Sequence, residues 1–142
     1  NLDGVSLRNY PTVDGRRASE VTLENVKIPS NSLLSEEGNG FQHLEDAIDT
    51  ATLAICAEAV GAMEVLYKTT VEYTKIRKQF GQAIGKFQVL QHRMVDMFME
   101  YEQSKSLLYM ATIKNVEGSK DAKKAISGLK YQVGKAAKFI GQ

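Results

Sequence analysis

Residues 41–75 read FQHLEDAIDTATLAICAEAVGAMEVLYKTTVEYTK and contain no proline. Apolar residues recur in this stretch at steps of three and four, which is the spacing of side chains on one face of an α-helix. A helix of about thirty residues is about 45 Å long, much longer than the average globular helix. The stretch therefore predicts one long helix with its apolar face formed by Leu44, Ile48, Ala51, Ile55, Ala59, Ala62, Leu66 and Thr70.

Two more helices are predicted after it. A break at Phe80-Gly81 precedes a helix from about Ile84 to Val116, and Gly118-Ser119 ends that helix, with Ser119 as the expected N-cap of the third. Long antiparallel helices pack as bundles, and three apolar stripes close less well than four. We therefore expect a fourth helix from elsewhere, and a homo-oligomer, dimer or tetramer. The predicted stripes are Phe87, Leu90, Met94, Met97, Phe98, Tyr101, Leu108 and Thr112, then Ala122, Ile126, Leu129, Val133, Ala136, Ala137 and Ile140.

The N-terminal 35 residues differ in character. They contain both prolines of the chain and alternate like strands, first at Val5-Ser6-Leu7 and again from Val21 to Ile28. Asp14-Gly15 between them is a strong hairpin signal. The predicted fold is therefore mainly α, an antiparallel bundle of three long helices preceded by a short antiparallel β piece.

Composition excludes several classes of protein. The 142 residues are 43% hydrophobic and 25% charged, a balance that predicts one folded core. The net charge of +1 offers no footprint for nucleic acid. The single cysteine, Cys56, excludes an intramolecular disulfide, and we expect no metal site.

Without a run of about eighteen apolar residues or a leader, we expect no membrane span and a cytoplasmic location. The missing initiator methionine and the helical pattern at Gln142 suggest a piece of a longer polypeptide.

Single reactive side chains give weak signals here. His43 and His92 are lone histidines on predicted helices with no cysteine partner nearby in sequence, so we interpret them as surface or packing residues. Cys56 lies between Ile55 and Ala57 and reads as a small buried hydrophobe. The lysines of the third helix wrap around its axis, which is typical of a solvated face.

The junction between the first two helices is the most suggestive segment. Arg77, Gln79, Phe80 and Gln88 concentrate there around Gly81 and Gly85. An arginine at a helix end can clamp a phosphate, an amide can read a polar edge, and a phenylalanine can stack on a planar ring. This combination suits a dinucleotide, although Arg-Lys before a glycine is also ordinary charge at a helix C-terminus.

The same junction carries a family resemblance. Tyr73, Arg77, Gln79-Phe80-Gly81, Ile84, Phe87-Gln88, Gln91 and Asp96-Met97 are spaced as in the signature of the flavin-dependent acyl-CoA dehydrogenases. Val21 to Pro29 resembles the last strand of that family's middle β domain, and Gly38-Asn39-Gly40-Phe41 resembles the approach to its first long helix. The resemblance implies that residues 1–35 are a remnant of the middle β domain. It implies that residues 36–142 are the first part of the C-terminal four-helix-bundle domain.

The resemblance implies site residues position by position. Arg77 matches the arginine that binds the FAD pyrophosphate, Gln79 adjoins it, and Phe80 lies on the nucleotide, across a dimer interface. Phe87, Gln88 and Leu90, with Ile84 of the same motif, match positions around the ADP portion. Asp49 matches an acidic residue near the acyl-CoA thioester, and Thr52 is the second implied substrate-binding residue.

Two departures concern the substrate and the base. Thr52 stands where many members have an arginine that approaches CoA, and Ala51 stands where one subset has its catalytic glutamate. The other subset has that glutamate farther along the chain, so no catalytic residue is expected within these 142 residues.

The implied activity is α,β-dehydrogenation of an acyl-CoA in fatty acid metabolism, with hydride transfer to FAD. Electron-transfer flavoprotein or a similar acceptor is the implied partner. A non-catalytic helical assembly module and an acyl-CoA oxidase are the alternatives.

Overall fold

The computed structural model describes residues 3–142 and divides the chain into two compact units, one ending at Phe41 and one running Gln42–Gln142. The first unit contains strands β1 (Val5–Pro11) and β2 (Arg17–Leu23). The second contains most of helix α1 (Gly40–Ile76), a hairpin of strands β3 (Lys78–Gln79) and β4 (Gln82–Ala83), and helices α2 (Gln88–Val116) and α3 (Ala122–Ile140). The mainly α prediction, with three long helices and a short antiparallel sheet, is confirmed.

Strands β1 and β2 form an antiparallel hairpin from the Val5–Leu23 pair to the Pro11–Arg17 pair. The loop closes through a bond from the Thr12 amide to the Arg16 carbonyl oxygen, 2.9 Å, and Gly15 has a φ of 77°. The predicted turn at Asp14-Gly15 is therefore confirmed. The prediction that β2 continues to Ile28 is wrong, because the strand ends at Leu23 and Asn25 adopts a left-handed φ of 50°.

The three helices run antiparallel. On α1 and α2, Thr74 contacts Met94 and Tyr67 stacks on Tyr101, so the partners occur in opposite order along the two helices. Helix α3 joins α2 through Glu100, which accepts hydrogen bonds from the Gln132 amide at 2.7 Å and from the Lys135 ammonium at 3.0 Å. Between α1 and α3, the Lys123 ammonium donates to Glu45 at 2.8 Å.

The predicted apolar face of α1 is wrong. Leu44, Ile48, Ile55 and Leu66 are about half exposed, while the core is filled from a different face of the helix. Helix α1 is apolar on two sides, and only one of them packs in this bundle. The core residues of α1 are Leu53, Cys56, Val60 and Met63. Of the other predicted members, Ala51 and Ala62 are exposed, and Ala59 and Thr70 are half-buried.

The apolar stripes predicted for α2 and α3 agree more closely with the residues that are buried in the structure. Met97 and Tyr101 of α2 are buried, but Phe98 and Thr112 are exposed. On α3, every predicted core residue except Ala137 is buried.

Two helix starts differ from the prediction. Helix α2 begins at Gln88 because Ile84–Lys86 forms a 3-10 turn and Phe87 is extended, with ψ at 122°. Helix α3 begins at Ala122, and the Ser119 hydroxyl accepts a 3.3 Å bond from the Asp121 amide. Ser119 therefore shapes the preceding turn and is not the N-cap.

Helix α1 is also long and apolar enough to cross a membrane by length and composition alone. One stripe of α1 packs against α2 and α3, although only 17% of this apolar segment is buried. Glu58 would lie near the centre of its most apolar segment, where a carboxylate is costly in lipid.

Candidate functional site

The segment between α1 and α2 is a two-residue hairpin. Lys78 pairs with Ala83 and Gln79 with Gln82, and Phe80-Gly81 forms the turn. Both turn residues have positive φ, 52° for Phe80 and 78° for Gly81, as in the turn type that matches the twist of a tight hairpin. A phenylalanine rarely adopts this backbone conformation, and such residues concentrate at functional sites.

Backbone hydrogen bonds hold the base of the hairpin. The Arg77 amide donates to the Tyr73 carbonyl oxygen at 2.9 Å, which extends the hydrogen bonding of α1 by one residue. The Ile84 amide donates to the Arg77 carbonyl oxygen at 2.8 Å. The backbone of Arg77 is therefore bonded on both sides, and the direction in which its side chain leaves the hairpin is restricted.

The Arg77 side chain is available to an anion. It is exposed, and within residues 3–142 no carboxylate forms an ion pair with its guanidinium. A guanidinium presents two parallel N–H groups that match a phosphate. Arg77 can therefore bind a phosphate without first breaking an internal ion pair.

Phe80 projects an aromatic ring from the tip of the hairpin. The residue is 91% exposed, although an apolar ring of this size gains free energy when buried. Its ring meets the half-buried ring of Phe87 edge-on, with centroids 6.1 Å apart. The exposed face of the Phe80 ring thus remains free for a planar ligand.

The remaining predicted cofactor residues lie in the same short segment. Gln79 in β3 and Gln88 at the start of α2 are exposed, while Ile84 and Leu90 are half-buried. The segment between positions 77 and 90 therefore carries a cation that has no ion pair within residues 3–142, an exposed aromatic ring and two exposed amides. These groups fit the phosphates and polar ring edges of a dinucleotide such as FAD.

Asp49 and Thr52, the predicted substrate residues, lie elsewhere. Both are half-buried near the N-terminal end of α1. Asp49 lines a polar cavity of about 450 Å³ with Asp46, Asn115 and Lys123, whereas Thr52 does not line it. Along the axis of α1, Thr52 and Ile76 are about 36 Å apart.

This separation limits which residues of one chain can contact the same substrate atoms. Reacting atoms must approach within about 3.5 Å of each other. The hairpin and the Asp49–Thr52 region of a single chain are therefore too far apart to contact the same reacting atoms.

The histidines and the cysteine within residues 3–142 do not form a second cluster of reactive side chains. His43 and His92 are exposed, and Cys56 is fully buried, so burial raises the pKa of its thiol. In the part of the chain that the structure describes, no group of three or more His, Cys, Asp or Glu side chains can hold a metal ion.

Two features were not predicted from the sequence. An apolar cavity of about 430 Å³ lies between α1 and α2, where Ala54 and Ala57 face Leu108, Tyr109 and Ile113. The small residues of α1 were the available signal. The side chain of Gln91 also bonds to the hairpin segment at Gly85. Its place in the sequence motif was visible, but its role was not.

Known proteins match both the sequence and the fold. Residues 38–142 match the family model described as acyl-CoA dehydrogenase, C-terminal domain. The short-chain specific acyl-CoA dehydrogenase of Megasphaera elsdenii is 36% identical over 99 residues, 70% of this chain and 26% of that protein.

Solved structures agree with this match. The structure titled "PigA with FAD and proline" superimposes with a TM-score of 0.87 at 30% identity, over 99% of this chain and 37% of the other. A glutaryl-coenzyme A dehydrogenase complexed with glutaryl-CoA gives 0.84 at 27% identity, over 99% and 36%. The chain thus spans about a quarter of the relative's length and about a third of each structure's.

Proposed function

The chain belongs to the acyl-CoA dehydrogenase family, and on that premise we propose that it forms the part of such an enzyme that clamps FAD and joins subunits. The observation that carries the proposal is the hairpin segment, where Arg77, which forms no ion pair within residues 3–142, and Phe80, which is 91% exposed, are three residues apart in the chain. An exposed arginine and an exposed phenylalanine gain the most binding free energy from a ligand that has both a phosphate and an aromatic ring.

In the proposed reaction, bound FAD would supply the acceptor for the hydride that leaves the β carbon of an acyl-CoA thioester, while a base would take the α proton. Arg77 holds the pyrophosphate, Phe80 covers the nucleotide, and Gln79 and Gln88 bind its polar edges. Ile84, Phe87 and Leu90 provide apolar contacts around them. Asp49 and Thr52 lie on the acyl-CoA side, and no residue of this chain is assigned as the base.

The distance between the hairpin and the Asp49–Thr52 region supports an oligomer. Because the hairpin and Thr52 are about 36 Å apart along α1, each active site would combine the hairpin of one subunit with the α1 N-terminal region of another. The proposal is therefore a homo-oligomer, dimer or tetramer, in which the hairpin reaches across a subunit interface.

The wider assignment follows the same premise. We assign residues 1–35 to the middle β domain and residues 36–142 to the helical domain. A two-stranded hairpin such as β1–β2 has too little burial for independent stability, which supports its being part of a larger sheet. The proposed partners are acyl-CoA and electron-transfer flavoprotein or a similar acceptor, without nucleic acid or a membrane span, in the cytoplasm.

The test is Arg77→Ala in the complete polypeptide that contains this chain. A charge-assisted hydrogen bond contributes about 1.5–3 kcal/mol, so FAD should bind about ten- to a hundredfold more weakly. Lys78→Ala, which removes the neighbouring exposed cation, is the matched control, and Gln88→Ala should have a smaller effect because an amide is neutral. Flavin fluorescence gives the affinity, and thermal melts of the apo forms report folding.

The outcomes separate the candidate functions. Unchanged FAD affinity in Arg77→Ala would reject the cofactor role and favour a non-catalytic assembly module. A large drop in the apo melting temperature would show that Arg77 stabilises the fold instead.

A further inference from the structure

Three residues at the base of the hairpin connect the end of α1 to the start of α2. Thr74 lies in the last turn of α1, Gly85 in the 3-10 turn after β4, and Gln91 in the first turn of α2. The side-chain amide of Gln91 donates to the Gly85 carbonyl oxygen at 2.9 Å. We call Thr74, Gly85 and Gln91 the latch.

Gly85 is needed for close approach. A Cβ atom at this position would lie 3.1 Å from both the carbonyl oxygen and the hydroxyl oxygen of Thr74, tighter than most Cβ contacts. The absence of a side chain lets the 3-10 turn rest directly on the last turn of α1. A larger residue would push the turn, and the hairpin before it, away from the helix.

Thr74 forms a rigid support under Gly85. Thr74 is 5% exposed, and its hydroxyl donates to the Val71 carbonyl oxygen at 2.8 Å. The same oxygen lies 3.3 Å from the Met94 sulfur on α2. The Thr74 side chain is thus held from both helices, so Gly85 contacts a surface that cannot easily move.

The hairpin itself has few other supports. Its strands contain two residues each, and isolated two-stranded hairpins are marginally stable in water. Lys78, Gln79 and Phe80 are all exposed. The latch acts next to the Ile84–Arg77 bond, which is the point where the hairpin joins the helices.

We propose that the latch positions the hairpin for its ligand, so that Gln91, Gly85 and Thr74 are positioning residues for FAD although none of them need touch it. This inference rests on the proposed function of the hairpin. A loop already ordered in its bound conformation loses less entropy on binding, which raises affinity without any new contact. Without the latch the hairpin opens locally while the bundle stays folded.

The test is Gln91→Leu in the complete polypeptide, with FAD affinity from flavin fluorescence. Loss of one neutral hydrogen bond should weaken FAD binding about threefold to tenfold. Gln91→Lys keeps a donor and should retain most of the affinity, whereas Gly85→Ala should weaken binding in the same direction as Gln91→Leu. Gln103→Leu is the matched control, because it makes the same exposed substitution farther along α2.

Hydrogen exchange provides a readout that a merely structural role would not give. Amides in residues 78–84 should exchange faster in Gln91→Leu than in Gln103→Leu, with unchanged exchange in the cores of α1 and α2. The apo melting temperatures of the two variants should agree. A lower melting temperature for Gln91→Leu, with faster exchange throughout the bundle, would overturn the positioning role.

Arg77→Ala, measured alongside, separates the two proposals. If Arg77→Ala weakens FAD binding and Gln91→Leu behaves like Gln103→Leu, the latch proposal is overturned and the FAD role of the hairpin stands. If neither Arg77→Ala nor Gln91→Leu changes the affinity, the FAD role is rejected and the latch proposal with it.

Discussion

Phe80 and Phe87 meet edge-to-face across the hairpin, with 6.1 Å between their ring centroids. Phe87 is half-buried immediately before α2, while Phe80 is exposed on a backbone with a φ of 52°. Edge-to-face pairs are favourable, so Phe87 helps to hold the exposed ring in one orientation. An aromatic ring placed in water on a strained backbone is explained by a ligand more readily than by folding.

Phe80→Asn tests the role of this ring. Asparagine tolerates the left-handed backbone, so the hairpin should persist and the apo melting temperature should stay unchanged. Stacking on an aromatic side chain contributes about 1–3 kcal/mol per base, so FAD should bind about tenfold more weakly or worse. Tyr131→Asn, at a 75% exposed aromatic of α3, is the control for flavin fluorescence titrations. Equal affinities for both variants would contradict a contact between Phe80 and the cofactor.

Met63→Ala and Leu66→Ala test which face of α1 forms the core. Met63 is 1% exposed and Leu66 is 47% exposed, although they are three residues apart. Truncating a buried methionine costs about 2–5 kcal/mol, because apolar contacts are lost and a cavity remains. Urea unfolding of the 142-residue chain should show a large loss for Met63→Ala and a small one for Leu66→Ala. The reverse order would support the face first predicted from the sequence.

Cys56 should react slowly in the folded protein. It is fully buried, and burial raises the pKa of its thiol, whereas alkylation requires an exposed thiolate. The raised pKa belongs to the folded state, so the buried thiol stays protonated there to a higher pH than in the unfolded chain. The contribution of the protonated Cys56 thiol to folding stability is therefore fully present below the ordinary thiol pKa and is lost as pH rises through the raised pKa. Iodoacetamide labelling should therefore accelerate in urea and at high pH.

A control for this measurement is the double variant Cys56→Ala, Ser106→Cys, in which the thiol occupies an exposed position on α2. That variant should be labelled rapidly without urea. Equally rapid labelling of Cys56 in native buffer would mean that α1 does not pack as described.

The isolated chain should associate with itself. Leu44, Ile48, Ile55 and Leu66 leave an apolar stripe exposed on α1, and large exposed apolar patches favour association. Sedimentation equilibrium should detect oligomers at micromolar concentration. The double variant Ile48→Lys, Ile55→Lys should shift the chain toward monomer, whereas Gln103→Lys on α2 should not. A wild-type chain that sediments as a monomer would contradict this prediction.

The positions of the helices and of the N-terminal hairpin follow from local sequence. Asp14-Gly15 predicts the first turn because glycine adopts a positive φ without cost, and the structure has that φ at Gly15. Proline-free stretches with regular apolar spacing predict the three helices, and their bounds agree within a few residues. The largest error, at the start of α2, arose because Ile84 and Lys86 suit a helix, whereas Gly85 lets the segment pack closely on Thr74 as a tight turn.

Which segments are helical or extended, and where the Arg77–Phe80 motif lies, can thus be predicted from the sequence, because backbone preference and side-chain spacing are local properties. The buried apolar face of α1 could not be predicted in the same way, because periodicity describes two such faces equally well and burial depends on the neighbouring helices. Tertiary packing also decided that Thr74, Gly85 and Gln91 meet. Their contacts exist only because α1 and α2 turn back on each other within twelve residues, a geometry that no single helix specifies.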